Sequence, residues 1–111
     1  MEYNNISKTI QVLIEKTDES SLSRNEKFAL ISLLEKLLIY YVNEAKYIEE
    51  HKDFLDYDIR KTRLITNMTD YIVGINDTLK GKNDVHCIVN TIYKEINFDE
   101  KKGVFKRKRL I

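Results

Sequence analysis

The sequence predicts an all-α fold, a four-helix up-down bundle with a long central helical hairpin and a short basic C-terminal arm. Three observations carry that prediction. No proline occurs in the 111 residues, and Gly74 is the only glycine between Ser23 and Leu79. Proline costs about 3 kcal/mol and glycine about 1 kcal/mol inside a helix, so this stretch is nearly free of strong breakers. The apolar residues repeat at helical spacing, and cap and break signals separate the repeating segments.

The first helix is expected from about Asn5 to Thr17. Ile6, Ile10, Leu13 and Ile14 fall on one face at i, i+4, i+7 and i+8. Asp18-Glu19-Ser20-Ser21 then ends it, because these side chains compete for backbone hydrogen bonds.

The second helix has the clearest start. Ser23-Arg24-Asn25-Glu26 matches a capping box, in which hydroxyl and carboxylate satisfy the first-turn N–H groups reciprocally. Leu22 before the cap and Lys27 inside it do not form a hydrophobic staple. Two apolar rows follow. One is Phe28, Ile31, Leu34, Leu38, Val42, Ala45 and Ile48; the other is Leu30, Leu33, Leu37, Tyr40 and Tyr47, interrupted by Glu44. Together they are wider than a surface helix needs. The helix is therefore expected to be central, touching at least two neighbours, or to carry an interface to another chain, and a homo-oligomer is expected on the same ground.

The break after it is read from charge. Glu49 and Glu50 sit badly at a helix C-terminus, whereas Asp53, Asp56 and Asp58 suit an N-terminus. A tight corner is predicted near His51 to Phe54, with Asp53 as a candidate cap. The alternative is one rod from Arg24 to Lys80, roughly 85 Å long at 1.5 Å per residue, which would need a partner chain to cover it.

The third helix continues to about Lys80. Asp56 and Arg60 make a favourable i, i+4 pair, and Leu64, Met68, Tyr71, Ile72, Ile75 and Leu79 form the apolar face. Thr62, Thr66 and Thr69 make a more polar row, and Gly74, off the stripe, permits close approach of another helix. Gly81 supplies the C-terminal cap, and Asn83 or Asp84 caps the fourth helix, expected over Asp84 to Asn97. Its stripe is Val85, Ile88, Val89, Ile92 and Ile96, which turns Cys87 about 160° away, toward solvent. Residues 99–111 show no helical period and read as an arm, disordered or strand-like, so the chain divides into a helical domain over 1–98 and a basic tail over 99–111.

With 42% hydrophobic and 33% charged residues, the composition is that of one globular domain rather than a disordered chain. The net charge of +1 excludes a global pull toward nucleic acid or anionic lipid. The charge is nevertheless segregated. Residues 1–98 hold 13 basic and 16 acidic groups, and residues 99–111 hold 6 basic and 2 acidic groups. The single cysteine, Cys87, cannot form an internal disulfide, which favours a reducing compartment. The start MEYNNISKTIQ does not read as a secretory signal. No run approaches the roughly 18 apolar residues of a membrane span. A cytoplasmic location is expected. Isoleucine, lysine and asparagine number 14, 14 and 9, and their codons point to an AT-rich genome, such as that of a low-GC bacterium, a phage or plasmid, or a virus.

No catalytic, metal or nucleotide signature is present. The three glycines are isolated, so no phosphate-cradling loop occurs. Zinc needs about four convergent ligands, but adjacent His86 and Cys87 diverge by about 100° on a helix and His51 belongs to another element. Nucleophilic catalysis by Cys87 would need His51 and an orienting group brought to it. No metal, cofactor or enzymatic activity is expected. The acidic corner of Glu49, Glu50, Asp53, Asp56 and Asp58 suggests cation binding or mimicry of nucleic-acid phosphates, but it lacks a calcium-loop pattern and reads as a solvated junction.

The candidate binding residues are the tail cations Lys101, Lys102, Lys106, Arg107, Lys108 and Arg109, interleaved with Phe105 and followed by Leu110 and Ile111. Such a cluster binds phosphates, anionic lipid or an acidic protein surface in a salt-dependent way, or it serves only as a solubilising end or folds back on the acidic corner. Tyr40, Tyr41 and Tyr47 offer a second candidate patch, since tyrosine gives contact area at low entropy cost; at helical spacing they also fit a core edge. The expected function is a non-enzymatic inhibitor or regulator that binds a protein partner, encoded by a virus, phage or other mobile element. The alternative is nucleic-acid binding through the tail.

Overall fold

A Ser23 hydroxyl that accepts from the Glu26 N–H at 3.2 Å, and a Glu26 carboxylate that accepts from the Ser23 N–H at 3.0 Å, open the longest helix. The computed structural model describes the backbone of residues 3–109 and the side chains of residues 5–97. Within it the elements are α1 (Tyr3–Glu19), α2 (Arg24–Glu50), α3 (Tyr57–Leu79) and α4 (Val85–Arg109). The chain is an all-α four-helix bundle, 47 × 25 × 18 Å, in which α2 and α3 form a long hairpin-like pair.

Each connection is short and each consecutive pair of helices packs together, so every helix runs back along the one before. The arrangement is not a square. Both α2 and α3 touch all the other helices, whereas α1 and α4 make no close backbone approach to each other among the described residues. The pair α2–α3 is thus the middle layer, with α1 on one side and α4 on the other. The centrality predicted for α2 follows from this placement.

The core matches the apolar stripes closely for three helices. Ile6, Ile10 and Leu13 of α1, Leu64, Met68, Tyr71, Ile72 and Ile75 of α3, and Val85, Val89, Ile92 and Ile96 of α4 are all buried. On α2 the buried set is Leu30, Leu33, Leu34, Leu37, Tyr40, Tyr41 and Ile48. Phe28 and Val42, members of one predicted row, lie outside it and are exposed. Thr17 and Thr78 are buried polar residues, and each hydroxyl donates one turn back, to the Leu13 carbonyl at 2.7 Å and the Gly74 carbonyl at 3.0 Å. Neither buries an unsatisfied donor.

The turns show their chemistry plainly. After α3, Gly81 adopts φ +80°, with its N–H donating to the Thr78 carbonyl at 3.0 Å and the Lys82 N–H to Asp77 at 2.9 Å. That is a Schellman cap, which needs a left-handed residue at the glycine position. Asp84 then caps α4 by accepting from the Cys87 N–H at 3.0 Å. Gly74 faces α4 so closely that a Cβ there would lie 3.1 Å from the Ile88 Cδ1.

Two boundaries differ from the sequence expectation. The chain does bend after Glu50, which excludes the single rod, but Asp53 does not cap α3. The N-cap is Asp56, and its carboxylate makes no capping bond because it pairs with Arg60 instead, Nε to Oδ2 at 2.6 Å. At the other end, α4 runs to Arg109, so the backbone of the segment predicted as a non-helical arm is helical to that residue. Lysine and arginine are good helix formers, and they continue a helix after its apolar stripe has stopped at Ile96. No helix is long and apolar enough to cross a membrane among the described residues.

Candidate interaction site

The outward side of α2 is built by the same periodicity that buries its inward side. Phe28, Ile39 and Val42 are 75%, 58% and 49% exposed. Their spacing of 11 and 14 residues returns them to one face, about three and four helical turns along. Glu35 and Lys46 share that face. The packing of α2 on α1, α3 and α4 leaves these three side chains exposed among the described residues.

The second surface is the corner between α2 and α3. Two successive turn bonds shape it, the Phe54 N–H to the His51 carbonyl and the Tyr57 N–H to the Phe54 carbonyl, both at 3.1 Å. His51 Nδ1 lies 2.7 Å from the Tyr47 carbonyl, an acceptor only, so this nitrogen carries the proton. The imidazole also sits between two rings, 4.2 Å from Tyr47 and 5.0 Å from Phe54.

Charges tie the corner to the first turns of α3. Tyr57 donates its hydroxyl to Glu49 Oε1 at 2.8 Å, which raises the phenol pKa, and Lys61 Nζ stands 3.9 Å from the same carboxylate oxygen. Arg60, whose pKa is raised mainly by its bond to Asp56, lies 6.0 Å from the Tyr47 ring centre. Glu50, Asp53 and Asp58 make no ion pair among the described residues. Between them project Phe54, Leu55 and Ile59, of which Leu55 is 105% exposed. The corner is an apolar tip among charges of both signs, with Lys52 between Glu50 and Asp53 in the chain.

The residues singled out in the sequence are distributed unevenly over these surfaces. Tyr40 and Tyr41 are 5% and 2% exposed and belong to the core. Tyr47 is half-buried at the corner. The side chains of Lys101, Lys102, Lys106, Arg107, Lys108 and Arg109 lie outside the described residues, although the backbone that carries them is the last part of α4. Cys87 is exposed, and it sits with His86 in the first turn of α4, at the opposite end of the bundle from His51. Among the described residues no three His, Cys, Asp or Glu side chains are placed to hold a metal ion. An open depression beside Asp58, Ile59, Thr62 and Arg63 is formed along a single helix.

The exposed apolar residues were the part that periodicity missed. Ile39 belongs to neither predicted row, and Leu55 follows Phe54 in a turn, where no period exists to mark it. No family model, curated protein or solved structure matches the chain.

Proposed function

We propose that this is a non-enzymatic binding protein that docks on another protein and inhibits or regulates it, encoded by a virus, phage or other mobile element and working in the cytoplasm. The observation that supports the reading is the outward stripe of α2. Three large apolar side chains, Phe28, Ile39 and Val42, stay in water on the helix that organises the whole bundle. Exposed apolar side chains aligned on a rigid helix are the raw material of helix-in-groove recognition, in which anchors on one face enter a hydrophobic cleft. Burying each in a partner would contribute roughly 1.5–3 kcal/mol.

The test is a comparison of two baits. Wild-type protein and an Ile39→Asp, Val42→Asp variant of equal helicity are used to capture proteins from the cell extract in which the protein is expressed. A partner retained by the first and lost from the second is expected. Identical recoveries from both baits would overturn the reading.

A second reading, nucleic-acid binding, rests on the charge segregated into residues 99–111. Lys101, Lys102, Lys106, Arg107, Lys108 and Arg109 put six cations within nine residues of sequence. That pattern suits sequence-independent phosphate contact. Filter binding at low and high salt, with and without truncation after Phe98, decides it: affinity unchanged by truncation removes this reading.

A further inference from the structure

The outward stripe of α2 is its own complement when reversed. Glu35, Ile39, Val42 and Lys46 lie within an arc of about 60° on that helix, at about 100° per residue. Ile39 and Val42 stand equally far on either side of the level midway between Tyr40 and Tyr41, and Glu35 and Lys46 stand equally far on either side of the same level. Glu35 and Lys46 are exposed and make no ion pair among the described residues. They are about 17 Å apart along the axis, too far to pair with each other in one chain. One antiparallel register therefore sets Ile39 against Val42 and Glu35 against Lys46 of a second α2, each contact occurring twice. The remaining charges of α2 do not oppose it. Lys36, Glu44, Glu49 and Glu50 come level with Ala45, Leu37, Ser32 and Ile31, while Arg24, Glu26 and Lys27 pass beyond the end of the second helix, alongside its corner of mixed charge.

We propose, on the reading of this stripe as a docking surface, that a second copy of the chain covers it while no protein partner is bound: α2 lies antiparallel on α2 about a two-fold axis, and self-association and partner docking exclude each other. A stripe that complements itself in reverse closes at two copies and leaves no free end for a filament. Ile39 and Val42 supply the driving force by leaving water at the centre, flanked by the half-buried Ile31 and Leu38. The Glu35–Lys46 contacts set the register more than the affinity. A slip of four residues between the helices sets Glu35 against Val42 in one direction and against Glu50 in the other. A contact through one helix of each copy is small beside the roughly 800 Å² per partner of a standard interface, so the dimer is weak and able to yield to a protein partner.

The experiment is sedimentation equilibrium on the full chain from about 10 μM to about 1 mM. Wild type, Glu35→Lys, Lys46→Glu and the double variant carrying both exchanges are compared, with equal helicity established by circular dichroism. Wild type is expected to approach twice the 13.2 kDa chain mass at the upper concentrations. Each single exchange turns both charge contacts of the dimer repulsive and is expected to raise the dissociation constant roughly tenfold. The double variant remakes both contacts with the signs reversed and is expected to return to the wild-type constant. A wild-type chain that stays at 13.2 kDa throughout overturns the proposal. So do single variants that associate as well as wild type, and so does a double variant that associates no better than the single ones. The docking reading fails on a different result, identical recoveries from the two baits, so the two failures are told apart.

Discussion

Gly74 of α3 and Ile88 of α4 meet so closely that the hydrogen on the Gly74 Cα occupies space where a methyl carbon would stand 3.1 Å from the Ile88 Cδ1. The contact sets how near α4 comes to the central pair. It also opposes two effects of known size. Alanine gains about 0.8–1 kcal/mol of helix propensity over glycine, and crowding the Ile88 terminus takes some of that back.

In a double-mutant cycle the two effects separate. Gly74→Ala is expected to change stability by less than about 0.5 kcal/mol in the wild type, and to stabilise by about 0.5–1 kcal/mol in an Ile88→Val background that lacks the Cδ1. Urea unfolding of the four proteins measures it. Equal effects in both backgrounds would show that the methyl is accommodated elsewhere.

The capping box is expected to matter mainly at neutral pH and to fade in acid. Ser23→Ala removes one bond of the pair and costs about 1 kcal/mol. The Ser23 N–H and hydroxyl hold the Glu26 carboxyl below its ordinary value of 4.5. A depressed folded-state pKa contributes stability that is present above the unfolded value and disappears as pH falls through the folded one. Glu26→Gln should therefore lose stability relative to wild type at neutral pH, with the difference shrinking below about pH 4.5. Thermal melts from pH 7 to pH 3 read this out, and a constant difference across that range contradicts the assignment.

Two leucines mark the extremes of burial. Leu37 is 0% exposed and Leu55 105%. Leu37→Ala is expected to cost about 2–5 kcal/mol through lost burial and the cavity left behind. Leu55→Ala should stay within about 0.5 kcal/mol of wild type in the monomer. A substantial loss at Leu55 would mean that the tip is packed within its own chain.

Cys87 provides a kinetic check on the orientation of α4. The thiol is exposed, so a disulfide reagent should label native protein at a rate close to that of the urea-unfolded chain. Cys87→Ser should leave stability within about 0.5 kcal/mol. Strong native protection would rotate α4 away from the placement described.

Most of the scaffold was written in local chemistry. The Ser23–Glu26 box, the left-handed Gly81 and the Asp84 cap all rest on side chains within a few residues of the backbone they serve. The stripes of α1, α3 and α4 were equally readable, because each has one apolar side. On α2 the apolar residues span both sides of the inward direction, and periodicity alone cannot rank two adjacent rows, so Phe28 and Val42 were grouped with buried neighbours. The corner failed for a different reason. Asp53, Asp56 and Asp58 were equivalent as caps by type, and only the position of Arg60 decides that the Asp56 carboxylate turns away from the helix end. The end of α4 was misplaced because its later turns depend on intrinsic propensity, which leaves no hydrophobic rhythm to follow.

Since α1 and α4 make no close backbone approach to each other among the described residues, each is held chiefly by the pair between them. Fraying of one outer helix leaves the amide protection of its counterpart intact for as long as α2 and α3 hold. Loosening of α2 releases both together. Local opening in this molecule should thus come in two independent small events and one shared large one, a hierarchy set by which helices are neighbours rather than by the length of any of them.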